Sequence, residues 1–169
     1  MYIEKYLDSG YIGGTDDSLT LLDYLIDRQK EEISFEEIFS DIGLDKLNGD
    51  FRQHEEPLTV TFLQNEDSDY DEPYMEFYYA IDLIINLAAL LLECKVSGSI
   101  DMCKLCEEEE LENSKICITA TPEEHQLMNK ALKDFSVSPL DYDLSEMVDE
   151  EEMKEMAEIG EKLRKELYE

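Results

Sequence analysis

The chain has 169 residues, with 44 Asp and Glu against 14 Lys and Arg, giving a formal net charge of −30. That balance argues against direct binding to nucleic acid or to an anionic membrane surface, both of which require a basic face. Hydrophobic residues make up 43% of the chain and arrive in dense runs, so a folded acidic domain is expected and not an acidic disordered segment.

The sequence does not open on a basic region followed by an apolar one. Its longest apolar stretch, Ile81 to Leu92, is interrupted by Asp82 and Asn86 and falls short of the roughly 20 residues of a bilayer span. The expected setting is cytoplasmic, where the four cysteines (Cys94, Cys103, Cys106, Cys117) stay reduced.

Residues 2 to 14, with Gly10, Gly13 and Gly14, read as a short extended or looped lead-in. Thr15-Asp16-Asp17 supplies N-cap candidates for a helix to about Arg28, with Leu19, Leu22 and Leu25/Ile26 spaced to bury one face. Ser34-Phe35-Glu36-Glu37 reads as a capping box opening a helix that ends at Gly43. Leu44 to Phe51 is expected to be a turn or short helix. Leu58 to Phe62 alternates like a half-buried strand, and Tyr74 to Tyr79 reads as its hairpin partner across the acidic loop Asn65 to Pro73.

From Ala80 the period changes. Asp82, Asn86 and Glu93, with Ala89 between, form one narrow polar stripe on a helix otherwise built of Ile, Leu and Ala, which marks the central buried helix. Val96 to Met102 and Lys115 to Ala120 read as two further strands. Thr121-Pro122-Glu123-Glu124 is the clearest helix start, with Leu127, Met128, Ala131, Leu132 and Phe135 on the buried face. A last helix, about Asp149 to Leu167, carries Met153, Met156, Leu163 and Leu167 inward and Glu150–Lys154, Glu158–Lys162 and Glu161–Lys165 outward. The expected fold is α+β, about five helices packed on a small sheet of about four short strands, in a single domain spanning residues 1–169.

Enzyme chemistry finds no support. No nucleophile elbow, phosphate loop or dinucleotide fingerprint is present, and His54-Glu55-Glu56-Pro57 is not a metalloprotease helix. Asp67-Ser68-Asp69-Tyr70-Asp71 begins like a calcium loop, but Glu72 stands where the turn glycine belongs and Tyr78 where the bidentate Glu belongs. Cys103-x-x-Cys106 with Cys94 and Cys117 offers four thiols for zinc, yet only one pair has chelating spacing and Glu107-Glu108-Glu109-Glu110 follows it. Free cysteines and no cofactor or metal are expected. His125, at the edge of a buried face, reads as a satisfied boundary histidine.

The charge distribution carries more. Gln53 to Cys94 contains no Lys or Arg, and Asp141 to Glu152 holds seven acids and no base. Such runs usually serve solvation, but this acidity exceeds the net charge of about 2–8 that solubility asks of a small domain. A basic protein partner is the expected use, because a steering field accelerates association. The expected contacts are Asp67, Asp69, Tyr70, Asp71, Glu72 and Tyr74 on the hairpin loop, then Glu107, Glu108, Glu109 and Glu110. Tyr78, Tyr79 and Tyr142, close to acids, fit an interface but also fit strands.

Several segments together resemble the small acidic immunity proteins of bacterial polymorphic-toxin systems. They are Gly13-Gly14-Thr15-Asp16-Asp17-Ser18-Leu19-Thr20-Leu21, Asp45-Lys46-Leu47-Asn48 with Asp50-Phe51-Arg52, Ala80-Ile81-Asp82-Leu83 with Leu87-Ala88-Ala89-Leu90-Leu91-Leu92-Glu93, Ile118-Thr119-Ala120-Thr121-Pro122-Glu123-Glu124-His125, and the closing Leu163-Arg164-Lys165-Glu166-Leu167. The resemblance implies a cytosolic, non-enzymatic protein that binds and neutralises a cognate toxin, and it carries over no contact residues; a monomer or small oligomer is expected. Cys103 to Ser114 resembles the family least. Two other readings compete: a zinc-stabilised regulatory module using the four cysteines, and a nucleic-acid mimic that occupies some other basic protein.

Overall fold

The computed structural model describes residues 1–28, 30–53, 58–60, 75–106 and 115–169. The helices are α1 (Glu4–Leu7), α2 (Asp16–Arg28), α3 (Phe35–Ile42), α4 (Ala80–Ser97), α5 (Met102–Cys106), α6 (Pro122–Val137) and α7 (Glu150–Tyr168). The strands are β1 (Glu32–Ser34), β2 (Leu58–Val60), β3 (Met75–Phe77), β4 (Ile100–Asp101) and β5 (Lys115–Thr119). The class is α+β. The described strands make two small sheets where one was expected: a mixed sheet ordered β1-β5-β4 and an antiparallel pair β2-β3.

Helix α4 is the centre, and every residue from Ala80 to Glu93 is buried. A helix apolar nearly all round can satisfy that composition only by being wrapped. Helices α2, α6 and α7 and strand β5 do the wrapping. The polar stripe does not face water, as it would on a surface helix; Asp82, Asn86 and Glu93 are 4%, 4% and 2% exposed. It grips the N-terminal segment instead. Glu93 accepts the backbone N–H groups of Tyr2 (3.3 Å) and Ile3 (3.0 Å). Asn86 accepts from the Gly13 N–H at 2.9 Å and donates to the Tyr11 carbonyl at 3.2 Å. The lead-in is thereby fixed, and its residues 4–7 form the short helix α1 and not an extended segment.

The caps follow the sequence with one change. Thr121 and Glu124 complete a reciprocal capping box on α6, and Asp149 caps α7 through the Glu152 N–H. Ser34 caps α3, and Gly43 ends it in the left-handed region at φ 94°. The Glu37 carboxylate, however, leaves Ser34 and pairs with Arg28 and Lys30, because charged donors lie within reach and hold it more strongly than an amide would. Glu161 likewise pairs with Arg164, not Lys165.

Two strand assignments change. Val96 to Met102 is not one strand: α4 runs on to Ser97, Gly98 terminates it at φ 83°, and only Ile100–Asp101 pairs with β5. Strand β1 has no sequence signal of its own; its three residues pair in parallel with Cys117–Thr119, far along the chain. The β2-β3 hairpin forms as expected, with Leu58 opposite Phe77 and Val60 opposite Met75.

A candidate interface: the carboxylate-lined trough

Helix α2 buries Leu21, Leu22, Tyr24 and Leu25 against the core. Leu19, expected inside, is 50% exposed. Its ridge (Asp16, Leu19, Asp23, Ile26, Asp27) recurs at helical spacing on the outer side. Between this ridge and β3 lies an open groove of about 910 Å³ lined by Asp16, Leu19, Thr20, Asp23, Ile26, Asp27, Met75, Glu76 and Tyr78. Four carboxylates therefore surround apolar side chains, and among the described residues no base lines the groove.

At Asp16 and Tyr78 the groove meets a second cavity of about 410 Å³. Five separate segments wall it: Ser9 to Tyr11, the start of α2, the β3–α4 junction at Tyr78 and Tyr79, the stretch with Leu144 and Val148, and the first turns of α7 at Glu152 and Met156. Two carboxylates here are buried. Asp17, 2% exposed, accepts the backbone N–H groups of Tyr78 at 2.8 Å and Tyr79 at 2.9 Å, which locks the β3–α4 junction to the start of α2. Asp82 receives the Asn86 side-chain amide at 2.9 Å and the Thr15 hydroxyl. Loss of hydration pushes the Asp82 carboxyl up to about 7, and the Asp17 and Asp16 charges add to this against the two hydrogen bonds. On the rim, the Tyr11 hydroxyl donates to Glu155 at 3.1 Å, and burial together with that bond pushes its ionisation up to about 12.

The two base-free stretches of the sequence meet in this cavity, the first through Tyr78, Tyr79 and Asp82, the second through Leu144, Val148 and Glu152. Sequence reasoning marked both stretches but not their meeting, and it missed Asp16, Asp17, Asp23, Asp27 and Asp82. The usable signal was an aspartate in an otherwise apolar helix and an acidic ridge beside an outward leucine. Asp67, Asp69, Tyr70, Asp71, Glu72 and Tyr74, and Glu107, Glu108, Glu109 and Glu110, lie outside the described residues, as does the Asn65 to Pro73 loop. Tyr142 does not belong to the interface set. It is buried, packs edge-on against Phe135, and donates to Asp134 at 2.6 Å beside the bidentate Arg52.

The cysteines divide into two places. Cys94, on α4, accepts the Ile118 N–H at 3.3 Å and lies beside Cys117 on β5, whereas Cys103 and Cys106 sit on α5. Burial, then the neighbouring Cys117 and Glu93, push the Cys94 thiol up to about 12. No group of three or more His, Cys, Asp or Glu with the arrangement of a metal site occurs among the described residues. His125 is a boundary histidine as expected, with Nδ1 2.9 Å from the Tyr168 hydroxyl. No described helix is long and apolar enough to cross a membrane.

The chain's order of segments is that of an immunity protein, as a family model covering nearly all of it shows. The particular family is Immunity protein 68: its match covers residues 2–167, nearly the whole chain, and the protein belongs to it. No curated protein and no solved structure matches the chain.

Proposed function

We propose that the protein neutralises a cognate toxin domain by non-catalytic binding inside the producing cell, as one domain, and that the toxin surface it meets is basic. The observation that carries this reading is the trough. Among the described residues, four carboxylates and no base surround Leu19, Ile26, Met75 and Tyr78, so the surface offers both a negative field and an apolar contact. The field steers a basic partner and raises the encounter rate, while burial of the apolar ridge slows its escape. A nuclease is a fitting toxin, because its substrate groove must be basic, and occupation of that groove would exclude the nucleic acid.

The hairpin loop adjoins this face along the chain, since Tyr74 precedes Met75, which lines the groove. Asp67, Asp69, Tyr70, Asp71, Glu72 and Tyr74 are proposed to extend the contact, with Glu107 to Glu110 as a second patch. The test uses the toxin domain encoded beside the gene, co-expressed with the protein and then measured by stopped flow. Protection of the cells and a stoichiometric complex are expected. The pairs Asp23→Lys with Asp27→Lys, and Asp69→Lys with Asp71→Lys, should each lower the association rate and flatten its salt dependence. Full protection with an unchanged salt slope in both pairs would overturn the assignment of the face.

A further inference from the structure

Asp82 is a buried carboxyl with no counter-charge beside it among the described residues. It is 4% exposed, its two hydrogen-bond donors, Asn86 and Thr15, are neutral, and the charges nearest it are the like charges of Asp17 and Asp16. A carboxylate removed from water is normally retained beside a cation or a metal. None of the thirteen residues lining the cavity next to it is basic.

The competing structural explanation is that acids there serve helix starts. Helices α2, α4 and α7 all begin around this cavity, and each carries acid in its first turn. A helix start supplies about half a positive charge, so three supply roughly 1.5. Four carboxylates line the cavity (Asp16, Asp17, Asp82 and Glu152), more negative charge than three helix starts offset. The cavity remains negative.

Its other walls suit an organic cation. Tyr11, Tyr78 and Tyr79 contribute aromatic rings, and Leu144, Val148 and Met156 contribute apolar surface. Rings and carboxylates around one space are the elements that hold a guanidinium, by stacking on its faces and accepting from its edge. The volume of about 410 Å³ lies within the range of ligand pockets, about 300–1,000 Å³. The cavity also joins the groove of the proposed interface at Asp16 and Tyr78, so a side chain projecting from a partner seated in the groove would reach it.

We propose that this cavity is an anchor site for one arginine side chain of the bound toxin, with Asp82 at its floor, Glu152 at its rim and Tyr11, Tyr78 and Tyr79 around the guanidinium. The inference rests on the toxin-binding reading and names the site within it that fixes the partner's register. The guanidinium would supply the counter-charge that Asp82 lacks, and the trough outside would draw the basic segment in.

The test titrates the full chain, isotopically labelled, with N-acetyl-arginine methylamide and with its neutral isostere N-acetyl-citrulline methylamide. Saturable shifts confined to Tyr11, Tyr78, Tyr79, Asp82 and Glu152 are expected with the arginine probe. The citrulline probe should bind at least about tenfold more weakly, since charge-assisted bonds are about twice as strong as neutral ones. Asp82→Asn and, separately, the exposed Glu152→Gln should each weaken the arginine probe and leave the citrulline probe unchanged. Equal binding of the two probes, or shifts spread over the whole acidic surface, would overturn the site. A parallel arm measures the same variants against the neighbouring toxin domain, where faster dissociation is expected. Wild-type protein that binds the arginine probe but not that toxin would overturn the functional reading and leave the pocket standing. Wild-type protein that binds the toxin while both variants dissociate unchanged would overturn the pocket alone.

Discussion

Replacing Asp82 by Asn should stabilise the protein near neutral pH, and the gain should depend on pH in a defined direction. The Asp82 carboxyl is displaced from 3.8 to about 7. Between those values the folded state holds a proton that the unfolded state has released, so raising the pH favours unfolding. Below pH 3.8 both states are protonated, and above about 7 both are ionised, so this contribution is flat on either side. At about 1.4 kcal/mol per pH unit, roughly three units amount to about 4 kcal/mol of stability lost by pH 7 and above. The groups facing Asp82 that enter this balance are Asp16 and Asp17 from α2, Glu152 from α7, and the tyrosines Tyr11 and Tyr79. Asparagine retains the shape and still accepts from Asn86. Its amide can donate to the Thr15 hydroxyl, which accepts as readily as it donates. Urea unfolding of both proteins at pH 4, 5.5 and 7.5 measures the difference, and the general self-repulsion of the acidic chain cancels between them. The advantage of Asp82→Asn should be near zero at pH 4 and approach its full size at pH 7.5. Parallel pH profiles, or an advantage greatest at pH 4, would refute the desolvation argument. A stabilising substitution that weakens the partner's grip is the trade expected of a group kept for binding.

Other changes test the frame around the site. Glu93→Ala removes the acceptor for the Tyr2 and Ile3 N–H groups and should cost about 2 kcal/mol, as two amides lose their partner; limited proteolysis should show cleavage ahead of Ile12 that the wild type resists. Gly160→Ala should raise stability by about 1 kcal/mol by helix propensity, because the nearest atoms a Cβ there would meet, on Phe135, Leu132 and Ile85, lie at ordinary contact distances of 3.7–4.0 Å; thermal unfolding checks it, and a fall in Tm would show that the packing around Gly160 has no room. Thr121→Ala dissolves the capping box of α6 and should cost about 1 kcal/mol in urea.

The α+β class, the central buried helix, the β2-β3 hairpin, the α6 capping box and the α7 start were all legible from sequence, because each depends on residues a few positions apart. Periodicity and cap chemistry are local, and nothing in the tertiary structure opposed them there. Where a stronger partner arrived from elsewhere, the local reading failed: Glu37 left its cap for Arg28 and Lys30, and β1 became a strand because β5 offered it an edge. Leu19 followed the spacing of a buried face and still points outward, because α2 turns Leu21, Leu22 and Leu25 into the core instead.

By itself, the sequence determined that the protein is acidic, folded and without an enzymatic motif, and its order of segments resembled an immunity protein. Net charge and motif order are properties of the chain alone, so they needed no coordinates. Only the tertiary structure decided what the acidity is attached to. The wrapping of α4 brings the start of α2, the β3–α4 junction and the first turns of α7 to one place, and so joins two acidic stretches into one trough. It also turns Asp82 from a polar residue on a helix into a desolvated carboxyl with no cation beside it among the described residues. Burial and like-charge proximity are pairwise facts of packing, and no spacing along the chain encodes them.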